Sequence, residues 1–384
     1  MIPYSCQDID STDIEAVTQV LASDFLTQGP QVPAFESALA RRVQAREAIA
    51  VNSGTSALHL ACLALGVGPG DRVWTSPISF VASANCARYC GAEVDFVDID
   101  PRTGNLHLEA LERRLADAAL DGRLPKVLIP VHYAGQSCDM RAIARLVNPY
   151  GVRIIEDASH ALGADYEDTP VGCGRYSDIT VFSFHPVKMI TCGEGGALLT
   201  NSLELAESAK LLRSHGVTRD PARVDNLEAE PWRYEQHALG FNYRMTDLQA
   251  ALGLSQLARL DAFLAERRQR AQRYQRAFEG TPVSTLHQLA ATHSAWHLMS
   301  VLVPAGVRAE VFRRLRQEGI GVNVHYLPIY RQPYYQQLGF PPGYCPRAEA
   351  FYQSELSIPL HTRLSDSDQA LVIERLLYHV EALT

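Results

Sequence analysis

Lys188 lies in a segment that could hold a reactive amine. The segment, residues 178–196, reads DITVFSFHPVKMITCGEGG. Residues 179–184 are rich in β-branched and aromatic side chains, which predicts a short strand that ends before Pro186. A lysine on a constrained turn after a strand can be partly desolvated, and its amine then attacks an aldehyde to give a Schiff base. The pattern also fits an ordinary surface lysine in a loop, so other segments of the sequence are needed to distinguish the two interpretations.

Asp157 is a second candidate for chemistry. It ends the apolar run in the segment IIEDASH, residues 154–160. Open α/β sheets bind their ligands outside the carboxyl ends of the strands, which is where an acid in this position would lie. An ionised carboxylate there needs a cationic partner, and a protonated pyridine nitrogen is one. The same residue could instead cap the turn that follows.

The segment NSGTSALH, residues 52–59, predicts a strand that leads into a helix. Free amides at a helix N-terminus, with the hydroxyls of Thr55 and Ser56 beside them, can bind a phosphate group. Ser183 could add another hydroxyl contact. Ser or Thr at this place is also the commonest plain N-cap, so the motif is weak when taken alone.

These segments make sense together if the protein binds pyridoxal 5′-phosphate (PLP). That cofactor needs a lysine for its aldehyde, a carboxylate for its ring nitrogen and a helix N-terminus for its phosphate. The carboxylate keeps the ring nitrogen protonated, so that the ring can accept electrons. As a free amine, Lys188 would then be the base that moves a proton at the substrate carbon.

Composition sets limits on the class of protein. The chain has 384 residues, 47% hydrophobic and 20% charged residues and a net charge of -8, which is ordinary for a globular enzyme of two domains. The negative charge argues against a nucleic-acid partner, and no apolar run is long enough to span a membrane. The N-terminal residues do not resemble a signal peptide, so a cytoplasmic location is expected. The 8 cysteines show no spacing suited to zinc, and no metal site is predicted.

Short apolar strands alternate with helical patterns from residue 48 to residue 200. This alternation predicts an α/β domain with a mainly parallel sheet that helices cover on both faces. The predicted strands are residues 48–52, 72–75, 94–98, 127–131, 153–156, 179–184 and 197–200.

The flanking regions predict an N-terminal arm, further helices and a smaller α+β domain at the C-terminus. The predicted domains are residues 1–250 and 251–384. Capping boxes are expected at Thr12 and Thr246, the second of which opens a helix that continues to about Phe278, kinked near Gly253 or broken farther along. Other predictions are helices over residues 32–43, 308–318 and 367–382, strands over 296–303 and 321–326, and a loop over 216–240.

Four segments together resemble the DegT/DnrJ/StrS family of nucleotide-sugar aminotransferases, whose fold is that of the type I PLP-dependent aminotransferases. They are NSGTSALHLA, IIEDASHALGA, FSFHPVKMITCGEGGALLTN and GFNYRMTDLQAALGLSQL, and the similarity covers nearly the whole chain. The lysine motif HPVK and the segment NVHYLPIYRQPYY are most similar to members that serve pseudaminic acid biosynthesis.

The resemblance implies roles for residues at matching positions. Lys188 would be the Schiff-base lysine and Asp157 the partner of the pyridine nitrogen, which makes these two the expected catalytic residues. The other expected cofactor contacts are Gly54, Thr55, Ser56, Phe80, His160, Ser183 and Asn242. The expected contacts with sugar or nucleotide are Tyr4, Thr27, Gln28, Gly29, Arg244, Asn323, His325, Tyr326 and Tyr330.

The resemblance also implies a reaction and an assembly. L-glutamate would load an amino group onto the cofactor. A nucleotide-linked 4-keto-6-deoxy-N-acetylhexosamine would receive that group, and in this branch of the family the nucleotide would be UDP. Asn242 would reach the phosphate of the neighbouring subunit's cofactor, which implies a homodimer with shared sites. The alternatives are an aminotransferase for another dTDP-, GDP- or UDP-linked keto sugar, a dehydratase or lyase on the same scaffold, and a non-catalytic PLP-binding regulator. Sugar dehydratases of the family carry a histidine in place of the lysine, so Lys188 favours transamination.

Overall fold

The computed structural model describes residues 1–226, 228 and 230–384. Its helices are α1 (Ser11–Leu21), α2 (Gln31–Val43), α3 (Gly54–Ala64), α4 (Ala82–Tyr89), α5 (Leu108–Leu120), α6 (Met140–Val147), α7 (Leu203–Arg213), α8 (Asp247–Ala258), α9 (Leu260–Phe278), α10 (Arg308–Gln317), α11 (Pro333–Gln336), α12 (Pro346–Ser354) and α13 (Asp366–Glu381). Its strands are β1 (Glu47–Val51), β2 (Arg72–Thr75), β3 (Glu93–Phe96), β4 (Val127–Ile129), β5 (Arg153–Asp157), β6 (Asp165–Tyr166), β7 (Thr169–Pro170), β8 (Ile179–Ser183), β9 (Gly196–Thr200), β10 (Val217–Thr218), β11 (Glu235–Gln236), β12 (Ser284–Thr285), β13 (Thr292–His293), β14 (Met299–Leu302) and β15 (Glu355–Ile358). Each helix in this part of the chain is too short or too polar to cross a lipid bilayer.

A seven-stranded sheet, in the order β1-β9-β8-β5-β4-β2-β3, forms the centre of the molecule. The strands β8, β5, β4, β2 and β3 run parallel to one another. Strand β9 is antiparallel to both of its neighbours, β1 and β8. These are the seven strands predicted from the apolar runs, and their ends differ from the prediction by at most two residues. The predicted mainly parallel sheet is therefore confirmed.

Alternate side chains of each central strand pack against helices on opposite faces of the sheet. In β1, Ile49 and Val51 belong to one apolar cluster with Leu58 of α3. Ala48 and Ala50 belong to the other cluster, with Phe35 of α2. Because both faces are buried, these strands read as continuous apolar runs rather than as an alternation of polar and apolar residues.

The C-terminal region contains a smaller antiparallel sheet made of β12, β14 and β15. The strand predicted over residues 296–303 is present as the shorter β14. The strand predicted over residues 321–326 is wrong, because only Asn323 of that stretch makes a bridge, with Ser357 of β15. The backbone N–H of His325 instead binds the Glu355 carboxylate, so that this stretch leaves the sheet.

The start of α1 differs from the prediction, whereas the break predicted in the long helix beyond Gly253 is confirmed. The capping box of α1 is formed by Asp10 and Asp13 rather than by Thr12. The long helix that begins after Thr246 is interrupted at Arg259, so it forms α8 and α9, and the proposed kink at Gly253 is absent. The Arg259 guanidinium bonds the carboxylate of Asp13, which ties this interruption to α1.

The remaining predictions concern the loop over residues 216–240, the N-terminal arm and the domain boundary. The predicted loop over residues 216–240 contains a short ladder between β10 and β11, and its residues 227 and 229 lie outside the described part. The N-terminal arm runs beside the C-terminal elements, where Ile2 pairs with Ile320. The division into domains at residue 250 stays a prediction.

The capping role predicted for Thr246 at the start of α8 can be tested by mutation. Thr246 accepts a hydrogen bond from the Gln249 amide, and the Gln249 side chain binds the Thr246 amide in return. Thr246→Ala should therefore lower the free energy of unfolding by about 1 kcal/mol, measured by denaturant titration. Thr246→Ser keeps the hydroxyl and should lose little. Equal losses in both variants would contradict a capping role.

Candidate active site

A cavity of about 730 Å³ opens at the carboxyl ends of β5 and β8. Asp157 is the last residue of β5, and Ser183 is the last residue of the neighbouring parallel strand β8. Of the residues predicted to bind cofactor or substrate, those that line this cavity are Tyr4, Gly54, Thr55, Phe80, Asp157, His160, Ser183, Lys188, Asn323, His325 and Tyr326. The fold thus brings together segments that are far apart in the sequence.

Lys188 differs from the other lysines of the chain. The sequence contains three, and Lys126 and Lys210 form ion pairs with Asp71 and Glu47. Lys188 makes no ion pair within the described residues. Burial lowers its pKa to about 8, and the negative charge of Asp157 partly opposes this shift. A much larger fraction of the Lys188 amine is therefore neutral near physiological pH than for an ordinary lysine.

The Asp157 carboxylate is buried and held by two hydroxyl groups. One oxygen accepts a hydrogen bond from Ser83 Oγ at 2.6 Å, and the other accepts one from Ser159 Oγ at 2.6 Å. No cationic side chain within the described residues forms an ion pair with it. A buried carboxylate without a cation is costly, so the site is suited to a ligand that carries a positive charge at this point.

The N-terminus of α3 forms the opposite part of the cavity. Ser53 caps the helix by accepting from the Ser56 amide, and the amides of Gly54 and Thr55 have no acceptor in the described part of the chain. A side chain at Gly196 would lie 2.5 Å from the backbone of Ser53 and Gly54. Glycine at position 196 therefore allows β9 to approach this turn, whose free amides favour an anion.

Three of the rings that line the cavity belong to His160, Tyr326 and Phe80. His160 is buried, and its Nδ1 has no partner among the described residues. Burial and the charge of Lys188 lower the pKa of His160 well below its usual value. The Tyr326 hydroxyl lies 3.4 Å from His160 Nε2. Phe80 is 60% exposed at the opening, which leaves a ring face free to stack on a planar ligand.

Several predicted residues do not line this cavity, namely Thr27, Gln28, Gly29, Ser56, Asn242, Arg244 and Tyr330. Ser56 is buried, and its hydroxyl donates to Asn52 Oδ1 at 2.7 Å. Tyr330 is fully buried and donates to Glu349 at 2.8 Å, so the structure places it in the packed core rather than beside a ligand. The ligand contacts predicted for the other five residues stay predictions.

Sequence reasoning missed several residues of the cavity. These are Ser53, Ser83, Ser159, His185, Glu194 and Gly196, of which all but Gly196 line it directly. Ser83 follows Phe80 by three positions but belongs to no recognisable motif on its own. Its pairing with Asp157 joins residues 74 positions apart, and only the folded chain shows it.

Comparison with known proteins assigns the chain to a family. Residues 7–377 match the sequence profile of the DegT/DnrJ/EryC1/StrS aminotransferase family. The chain belongs to this family. It is a PLP-dependent sugar aminotransferase, as the motifs around Lys188 and Asp157 predicted, and its sheet with one reversed strand is that of the type I aminotransferases.

Similar proteins agree with this assignment. The spore coat polysaccharide biosynthesis protein SpsC of Bacillus subtilis is 41% identical over 97% of this chain and 95% of its own. The UDP-4-amino-4,6-dideoxy-N-acetyl-β-L-altrosamine transaminase of Campylobacter jejuni is 39% identical over 99% of this chain and 98% of its own.

Solved structures cover the chain equally well. The sugar aminotransferase Spr1654 of Streptococcus pneumoniae, in its pyridoxamine phosphate (PMP) form, has a TM-score of 0.92 at 30% identity, with 100% of both chains covered. PseC of Helicobacter pylori, an aminotransferase involved in pseudaminic acid biosynthesis, has a TM-score of 0.89 at 34% identity, with 99% of both chains covered.

The residues of this aminotransferase fit its cofactor. The free amides of Gly54 and Thr55 suit a phosphate group, and the Asp157 carboxylate suits a protonated ring nitrogen. The unpartnered Nδ1 of His160 and the exposed face of Phe80 leave further contacts for a planar polar ring.

Sodium borohydride treatment of the holoenzyme should attach the cofactor irreversibly to Lys188, because its amine lies in the cavity and its pKa of about 8 favours the neutral nucleophile. Peptide mapping by mass spectrometry would locate the label. Lys126 and Lys210 serve as internal controls in the same digest. Label on either of them, or retained label in Lys188→Ala, would overturn the assignment.

Proposed function

We propose that this aminotransferase transfers an amino group from L-glutamate to a UDP-linked 4-keto-6-deoxy-N-acetylhexosamine, in the biosynthesis of pseudaminic acid or a related surface amino sugar. The observation that carries the reaction class is a buried lysine amine in one cavity with an Asp157 carboxylate that forms no ion pair within the described residues. The support for the substrate is the likeness to the UDP-amino sugar transaminase and to PseC. A cytoplasmic location stays a prediction from the sequence.

When bound, PLP supplies a carbonyl group that carries the amino group and a ring that accepts electrons. Lys188 moves the proton at the substrate carbon. With a pKa of about 8, about a tenth of its amine is neutral at pH 7, against roughly one part in three thousand for an unshifted lysine. The shift therefore makes Lys188 an effective base near neutral pH.

Asp157 faces the position of a ring nitrogen. The hydroxyls of Ser83 and Ser159 donate to its two oxygens, which fixes the orientation of the carboxylate and leaves an acceptor site on the oxygen that Ser83 bonds. Its negative charge stabilises a proton on the facing nitrogen. The free amides of Gly54 and Thr55 would hold the phosphate group of the cofactor and so help to position it relative to Lys188.

A second nucleotide sugar is an alternative substrate. The chain is 41% identical to SpsC, a protein of spore coat polysaccharide biosynthesis, and 39% identical to the Campylobacter UDP-amino sugar transaminase. The likeness to SpsC therefore supports a different keto sugar about as strongly as the other likeness supports the proposed one. The same site would perform the same proton transfers, since Lys188 would act at the carbon that receives the nitrogen and Asp157 at the cofactor ring, whatever the rest of the sugar. The sugar and the nucleotide must therefore be assayed directly.

We further propose a homodimer in which each active site contains residues of both chains. Asn242 is exposed and lies outside the cavity of its own chain, with its backbone held in a bridge to Ser214. Arg244 and the turn at Thr27, Gln28 and Gly29 also lie outside that cavity. A closed two-fold dimer is the simplest assembly that would bring such residues to the cavity of a second copy.

Adding L-glutamate to the holoenzyme should discharge its yellow colour, because the amino group passes to the cofactor and 2-oxoglutarate is released. A UDP-linked 4-keto-6-deoxy-N-acetylhexosamine should then restore the colour and appear as the amino sugar by mass spectrometry. D-glutamate and Lys188→Ala are the controls. Turnover of a dTDP- or GDP-linked keto sugar in preference to the UDP sugar would refute the proposed substrate, and a colour insensitive to L-glutamate would refute the donor.

Mixing two inactive variants tests the shared site. In a heterodimer of Lys188→Ala and Asn242→Asp, both changes fall in one shared site and the other site is intact. Random reassortment by unfolding and refolding should restore about a quarter of the wild-type activity, because about half of the dimers are mixed and each has one intact site. Each variant refolded alone is the control. Absence of activity in purified heterodimers would place each site within a single chain.

A further inference from the structure

A buried carboxyl group lies behind the cavity wall, and none of the steps above uses it. Glu355 begins β15, and its side chain is fully buried. Within the described residues it has no ion pair with Lys, Arg or His. A buried carboxyl without a cation is costly, so its place beside a cavity residue calls for an explanation.

The two oxygens of Glu355 have different partners. Oε2 accepts a hydrogen bond from the backbone N–H of His325 at 2.7 Å. Oε1 accepts from the hydroxyl of Ser357 at 2.7 Å and from the hydroxyl of Ser300 at 2.9 Å. Glu355 and Ser357 share one face of β15, and Ser300 lies opposite Ser357 in the register with β14.

These contacts determine which nitrogen of His325 carries the proton. Ser357 Oγ lies 2.8 Å from His325 Nδ1. The single hydroxyl proton of Ser357 goes to Glu355, so Oγ can only accept from the ring, and Nδ1 must hold the proton. The proton on Nδ1 leaves Nε2 with a free lone pair.

The other side of the ring is compatible with the same tautomer, through a contact that is too long to fix it alone. Asn323 Oδ1 accepts from the Val324 amide at 2.9 Å, which orients Asn323 Nδ2 toward His325. Nδ2 lies 3.3 Å from His325 Nε2, and an amide nitrogen can only donate. Nε2 is an acceptor in this tautomer, and the 3.3 Å contact is long enough to give way to a better donor.

His325 stays neutral in this environment. Burial and the positive charge of Lys188 lower its pKa to about 3. Besides Glu355, which bonds its backbone N–H, the titratable groups that face it are the rings of Tyr4, Tyr326, His160 and His297, none of which is anionic near pH 7. His325 therefore acts in the cavity through a lone pair and not through a positive charge.

We infer that Glu355, acting through Ser357, is a positioning residue that holds the lone pair of His325 Nε2 toward the cavity, where it accepts a hydrogen bond from a hydroxyl or amide N–H of the sugar substrate. The identity of that ligand rests on the proposed function, whereas the proton position on His325 does not. Glu355 touches no substrate in this account, and its effect passes through two hydrogen bonds.

The arrangement also makes the acceptor dependent on pH. Burial raises the pKa of Glu355 to about 7, and the titratable groups around it are Tyr133, Tyr326 and His325. When Glu355 takes up a proton, that proton sits on Oε1, because Oε2 faces an N–H group. Oε1 then donates to Ser357 Oγ, the nearer of its two serine partners, and Ser357 turns its own proton to His325 Nδ1. The acceptor at Nε2 is thus held above about pH 7 and lost below it.

Glu355→Gln provides a fixed mimic of the protonated state. The N–H of His325 requires the glutamine oxygen at the Oε2 position, so the NH₂ group must face Ser357 and Ser300. Both hydroxyls then become acceptors toward residue 355, and Ser357 turns its own proton to His325. The variant has the same shape as the wild type, and thermal unfolding would confirm that it is folded.

The test is nitrogen-15 NMR of the holoenzyme with labelled histidine, with the His325 signals assigned from their absence in His325→Gln. In the wild type, the proton should be on Nδ1 at pH 8.5 and should move toward Nε2 as the pH falls through about 7. In Glu355→Gln it should be on Nε2 throughout this range. Ser357→Ala should abolish the pH dependence, Ser357→Thr should restore it, and Ser300→Ala should retain it.

Kinetics provide the functional readout. Glu355→Gln should lower kcat/KM for the sugar by about 5- to 15-fold at pH 8.5, the usual effect of one lost hydrogen bond, and leave the glutamate half-reaction unchanged. A His325 proton on Nδ1 in Glu355→Gln, or one that does not move with pH in the wild type, would overturn the inference. If no nucleotide sugar is turned over, the proposed substrate fails, and the NMR result still decides the role of Glu355.

Discussion

The buried amine of Lys188 beside the Asp157 carboxylate is the constraint on which the rest of the active site depends. Burial disfavours the charged amine, and the carboxylate opposes that effect, so the pKa of Lys188 settles at about 8. The two residues follow adjacent parallel strands, β5 and β8, whose carboxyl ends meet at one edge of the sheet. The parallel pairing therefore brings Asp157 and Lys188, which are far apart in the sequence, into one cavity.

The N-terminus of α3 is positioned by the close approach of the β9 backbone. Strand β9 runs antiparallel between β1 and β8, and its first residue, Gly196, lies against Ser53 and Gly54. A Cβ at that position would meet backbone atoms, which cannot move aside as a flexible side chain can. The last glycine of the turn that follows Lys188 thus makes room for the N-terminus of α3, whose free amides suit an anion.

The cavity contains both neutral polar side chains and a charged carboxylate. His160 and His325 are neutral because they are buried near Lys188, so they can act only as donors or acceptors. Asp157, by contrast, carries a charge, keeps both oxygens bonded to hydroxyls and forms no ion pair within the described residues. The Asp157 carboxylate suits a cationic ring atom, and the uncharged polar groups suit a sugar, so the cavity offers different groups to the two ligands.

The sequence by itself determined the elements and the reacting groups. Seven apolar runs became the seven central strands because strands buried on both faces must be apolar throughout, and Lys188 and Asp157 stood out because few residue types can do their chemistry. The tertiary structure alone decided which residues serve them. Ser83 reaches Asp157, and Glu355 sets the proton on His325, through contacts between distant segments that leave no periodic pattern. It also placed Tyr330 in the core and residues 321–326 outside the sheet, because packing and hydrogen bonds with β15, rather than local propensity, determine their positions.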